Sequence, residues 1–184
     1  MSPPRGRQRR QARRQGVQPT PGAPAPQAPT RYRMREKLVA FGNDFVIETG
    51  AGAPAFRVDG KALRMRNTIQ IQDLAGQTLY RVQERVLRVK ESMVIERNGQ
   101  RVATIQKGLV TPLRDRFDVQ VAGGAPLHVQ GNVVDHEYTI TRQGAPVATV
   151  SKRWFRVRDT YGVEVMAGED HAFVLAVAAA IDTI

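Results

Sequence analysis

A chain of 184 residues with 41% hydrophobic content has room for one domain of ordinary size and a core to match. It contains no cysteine, which excludes a disulfide framework, a thiol nucleophile and a thiolate metal site, and agrees with a reducing compartment. The formal net charge of +11 is unevenly placed, because residues 1–30 carry Arg5, Arg7, Arg9, Arg10, Arg13 and Arg14 and no acid, leaving +5 for everything after them.

The same first 30 residues hold Pro3, Pro4, Pro19, Pro21, Pro24, Pro26 and Pro29 and almost no large apolar side chain. Such a segment cannot repay the entropy of ordering, and the expectation is a disordered basic tail ahead of a domain spanning 31–184. Its arginine pairs are followed by Pro, Gln, Ala and Gly from Gln15 to Pro29, with no apolar stretch of the kind an export signal needs. The expected location is therefore cytoplasmic, with peripheral contact to a membrane as an option.

Beyond residue 37 the chain becomes short alternating segments separated by turn residues, the pattern of an all-β domain. Phe45–Glu48 precedes a Gly50/Gly52 turn, Ala55–Val58 precedes Asp59-Gly60, and Thr68–Gln72 precedes Asp73-Leu74-Ala75-Gly76. Ile69 and Ile71 face one way, Gln70 and Gln72 the other; Phe117, Val119 and Val121, and then Tyr161, Val163 and Val165, repeat this one-sided burial. Residues 97–107 align with residues 142–152 at a shift of 45, and Asp115–Val121 then matches Asp159–Val165, so a hairpin unit recurs.

Gly168 closes the last strand, and Glu169 or Asp170 can cap a helix over Asp170–Ile184. Its apolar run, Ala172–Ile181, is too short to span a membrane, which takes about 20 residues. A helix that is apolar nearly all round must be surrounded. The reading is a closed antiparallel β-barrel plugged by its own C-terminal helix.

Asp135–Thr141, Val147–Phe155 and Asp159–Val165, together with Phe56–Leu63 and Leu175–Asp182, resemble the LURP-one-related family over about residues 32–184. The resemblance implies a tubby-like barrel of roughly twelve strands around a central C-terminal helix, a shape shared with tubby C-terminal domains and phospholipid scramblases. It also implies contact with membrane phospholipid, in tubby domains phosphoinositide. No phosphoinositide motif can be carried over onto residues of this chain.

Asp135-His136-Glu137 is the most enzyme-like text, as a general base or as a metal site with His128 or His171. Neighbours on a strand point to opposite faces, and the histidines lack ligand spacing, so a structural role is expected. There is no glycine-rich phosphate loop, nucleophile elbow or HExxH helix, and the expectation is a non-enzymatic domain without metal or cofactor.

Lys152-Arg153-Trp154-Phe155-Arg156-Val157-Arg158 is the candidate binding run. Strand alternation would place Lys152, Trp154, Arg156 and Arg158 on one face, which suits anionic phospholipid; Arg9, Arg10, Arg13 and Arg14 of the tail would add attraction. The competing reading is a solvated strand face with Trp154 or Phe155 in the core. The tail could equally bind nucleic acid, but no aromatic precedes Tyr32, so contact would be to the backbone alone and steeply salt-dependent. A protein-interaction role stands beside it, and nothing in the sequence specifies an oligomeric state.

Overall fold

The computed structural model describes residues 28–35, 44–59, 68–87, 90–108, 115–155 and 157–184. Twelve strands run β1 (Thr30–Arg35), β2 (Phe45–Thr49), β3 (Pro54–Val58), β4 (Thr68–Gln72), β5 (Thr78–Leu87), β6 (Lys90–Arg97), β7 (Gln100–Lys107), β8 (Asp115–Val121), β9 (Leu127–Asn132), β10 (Glu137–Arg142), β11 (Ala145–Ser151) and β12 (Thr160–Val165). Each pairs antiparallel with its sequence neighbour, and β1 pairs with β12 from Thr30↔Val165 to Arg35↔Thr160, so the sheet closes into a barrel without a free edge.

Alternation sets the two faces. Ile69, Ile71, Val82, Ile105, Phe117 and Val163 point inward and are buried. The turns that join the strands follow their residue types. Asn98 and Gly99 both have positive φ (52° and 76°), as do Gln143 and Gly144 (50° and 81°), the geometry of a tight hairpin matched to strand twist. These are the turns of the two aligned repeat segments, and each is preceded by a register shift, at Ile95/Glu96 and at Ile140/Thr141. The sequence repeat is therefore a repeated hairpin geometry.

Among the described residues one α-helix, α1 (His171–Ile181), follows β12 and fills the bore. Asp170 caps it by accepting the Phe173 N–H at 3.0 Å, and every residue from Ala172 to Ile181 is buried. At 1.5 Å per residue it is about 16 Å long, close to the height of a six-residue strand. Ala176, Ala178, Ala179 and Ala180 are fully inaccessible, so small side chains let the wall approach the helix backbone closely.

The barrel has two distinct ends. The even-numbered strands all run toward the end where α1 begins, and the turns there, residues 50–53, 73–77, 98–99, 122–126, 143–144 and 166–170, contain no Lys or Arg. The other end, where α1 finishes, carries the β9–β10 turn and the β11–β12 connection.

Candidate functional site

The expected strand does not run on through Lys152–Trp154. β11 stops at Ser151, and Lys152–Trp154 forms a 3-10 turn. Two hydrogen bonds to the carboxylate of Glu137 cause this: the Ser151 hydroxyl donates to Oε1 at 2.9 Å and the Lys152 N–H at 3.2 Å. The Ser151 oxygen then accepts the Arg153 N–H at 3.2 Å, capping the turn. The strand alternation expected for this run therefore does not hold at Lys152 and Trp154.

What the turn builds is an aromatic cover on the outer wall. Trp154 and Phe155 are half-buried, and both rings lie over Gly162 of β12, where an added Cβ would sit 2.6 Å from Trp154 and 3.0 Å from Phe155. Gly162 is buried although it faces outward, because the rings shield it. Neither ring enters the core of the barrel.

Strand β1 supplies the cations. Tyr32 and Met34 point inward, which turns Arg31, Arg33 and Arg35 outward at period two. The Arg31 guanidinium stands 4.2 Å from the Trp154 ring centroid and that of Arg33 5.9 Å from the Phe155 ring, within reach of cation–π attraction. Both are held in place by acids, Arg31 by Glu164 at 2.8 Å and Arg33 by Glu48. The Arg31-x-Arg33-x-Arg35 spacing is the sequence signal for these residues.

Of the expected binding residues, Lys152 and Arg158 are exposed at the end of the barrel where α1 finishes and Trp154 lies in the patch. Arg156, Arg9, Arg10, Arg13 and Arg14 fall outside the described residues. Beside the patch, β1 and β2 share only two paired positions, Tyr32↔Thr49 and Arg33↔Glu48. A cleft of about 520 Å³ opens beyond them, lined by residues that include Arg33, Arg35, Asp44, Val46, Val157 and Thr160.

Asp135, His136 and Glu137 diverge. Asp135 accepts from Asn132 Nδ2 at 2.7 Å, Glu137 serves the 3-10 turn, and His136 Nε2 donates to Asp182 Oδ1 at 2.6 Å beyond the end of α1. His128 pairs with Asp118 on the outer wall, and His171 Nδ1 lies 2.6 Å from the Tyr32 hydroxyl near the start of α1. The three histidines therefore sit in three separate places, and among the described residues no group of three His, Asp or Glu side chains could hold a metal ion.

Acids and cations also fix the start of the helix. Arg142 pairs with Glu169 at 2.7 Å, and its repeat counterpart Arg97 approaches Asp170 at 3.9 Å. Tyr80 donates to Asp170 at 2.7 Å; burial first, and then the Asp170 carboxylate, push its phenol up to about 12. Burial and the charge of Asp182 likewise raise the Tyr138 phenol, and burial raises that of Tyr32.

The sequence profile of the LURP-one-related family matches residues 30–182, nearly the whole barrel and helix. The chain belongs to the LURP-one-related family. A crystal structure of an Arabidopsis thaliana protein is similar to this LURP-one-related barrel, with a TM-score of 0.63 at 17% identity over 85% of this chain and 91% of that one. That likeness is one of fold. None of the curated proteins matches the chain. No described helix of this LURP-one-related protein is long and apolar enough to cross a membrane.

Proposed function

We propose that the domain is a non-catalytic module that binds anionic phospholipid at a membrane surface, from the cytoplasmic side. The observation that carries this reading is the outer-wall stack of Arg31 on Trp154, with Arg33 beside Phe155 and with Lys152 and Arg158 exposed nearby. An indole at an interface is stable with one side apolar and one wet, and cations around it draw phosphate groups, each contributing about 1 kcal/mol near a charged leaflet. Arg156 and the tail residues Arg9, Arg10, Arg13 and Arg14 add to this attraction by charge alone.

Co-sedimentation of the full chain with vesicles at moderate salt tests the reading. Pelleting is expected on phosphatidylcholine vesicles that contain phosphatidylserine and not on phosphatidylcholine alone. Equal pelleting on both would remove it. Replacing Arg9, Arg10, Arg13 and Arg14 by Gln should weaken pelleting without abolishing it, because the folded patch remains.

A further inference from the structure

Among the described residues, the exposed large apolar side chains are Val46 at 41%, Leu74 at 53%, Val134 at 81% and Val157 at 50%. Their placement is one-sided. Val134 tips the β9–β10 turn, Val157 lies in the β11–β12 connection, and Val46 is near the start of β2, all at the end of the barrel where α1 finishes. Leu74 is at the opposite end, in the β4–β5 turn.

The β9–β10 turn is rigid without any help from Val134. Asn132 Oδ1 accepts the Asp135 N–H at 3.0 Å, the His136 N–H bonds to Val133 O at 3.0 Å, and Val133 packs against the core. Turn tips in water favour Asn, Asp or Gly, and a β-branched side chain standing outward there adds nothing to the fold. Glu137 ties this turn to the 3-10 turn through Ser151 and Lys152, which brings Val134 to the same rim as Lys152 and Arg153. Val157 and Arg158 follow on the same connection, and Val157 shares the cleft with Val46.

Val134 and Val157 stand outward at one rim beside Lys152, Arg153 and Arg158, with Asp135 and Asp159 among them, and apolar tips next to cations are what contact with an anionic bilayer surface uses. We propose that the barrel meets such a surface with the rim at which α1 finishes, and that Val134 and Val157 enter the headgroup layer. This rests on the phospholipid reading above and adds an orientation and a depth to it. Trp154 then lies partway up the outer wall over Gly162, with Arg31 reaching its ring from the far end of β1.

The chain has no cysteine, so Val134→Cys, Val157→Cys and Leu74→Cys each accept a single environment-sensitive NBD label. With phosphatidylcholine vesicles containing phosphatidylserine, labels at 134 and 157 should brighten and shift to the blue, and the label at 74 should not. A protein that pellets while the labels at 134 and 157 stay unchanged, or while 74 responds instead, overturns the orientation and leaves phospholipid binding standing. Failure to pellet on anionic vesicles removes both. The double variant Val134→Ser with Val157→Ser should keep its thermal midpoint and lose about tenfold in vesicle partitioning; unchanged partitioning would also overturn the proposal.

Discussion

His136 and Asp182 face each other at the end of the barrel where α1 finishes, with Nε2 donating to Oδ1 across 2.6 Å and both side chains less than 10% exposed. The ring stacks on Tyr161 at 4.3 Å between centroids, and its Nδ1 is buried without a partner. One strong bond therefore fastens the β9–β10 turn to the residue just past the helix. Removing either member takes a short bond from a side chain that is buried from water, so His136→Ala and Asp182→Ala should each cost about 2–4 kcal/mol. The double variant should cost clearly less than the sum. Urea unfolding of all three would show this, and additive losses would mean that the bond contributes nothing of its own.

The same helix is the plug of the barrel, not a membrane anchor. Val174 and Val177 are at most 1% exposed. Val177→Asp should leave the domain unfolded at room temperature, since an unpaired buried charge costs several kcal/mol against a total stability of about 5–15. Circular dichroism decides this. A variant that kept its β spectrum and lost only vesicle binding would instead assign the helix to the membrane.

Much of this architecture was legible because it is local. Phe117 and Val119 are buried as their alternation with Asp118 and Gln120 requires, and Tyr161, Val163 and Val165 follow the same rule. The repeat led to two hairpins with the same positive-φ pair. Strand β1 was harder to read, because only Tyr32 and Met34 point inward and the rest of Thr30–Arg35 is polar. The 3-10 turn at Lys152 and the bond between His136 and Asp182 depend on partners 15 and 46 residues away, which no spacing pattern encodes. The candidate patch was thus half visible. Its aromatic half came from one run, and its cationic half from a strand at the other end of the sequence.

Tyr80 makes the barrel sensitive to alkali. Its folded pKa of about 12 lies above the ordinary 10.0, so the neutral phenol contributes stability that is complete below pH 10 and lost as pH rises through about 12. Urea midpoints should therefore fall across that window. In Tyr80→Phe the fall should be shallower, and the variant should start about 1 kcal/mol lower at neutral pH, having lost the bond to Asp170. The raised phenol of Tyr138 keeps part of the slope. An unchanged slope in Tyr80→Phe would exclude Tyr80 as its source.

Gly162 and Trp154 give the most direct probe of the outer patch, because Trp154 is the only tryptophan of the chain. The backbone at Gly162 is not in the left-handed region, so space alone forbids a larger residue: a Cβ would stand 2.6 Å from the Trp154 ring, nearer than any carbon tolerates. Gly162→Ala should lift both rings off β12, at a cost of about 1–3 kcal/mol, while the barrel pairings persist. Trp154 emission should shift to the red as the indole enters water and loses contact with Arg31. Vesicle affinity should fall with it, although no charge has changed. Unshifted emission would mean that the ring does not rest on Gly162, and a shift without loss of binding would move the lipid contact away from this patch.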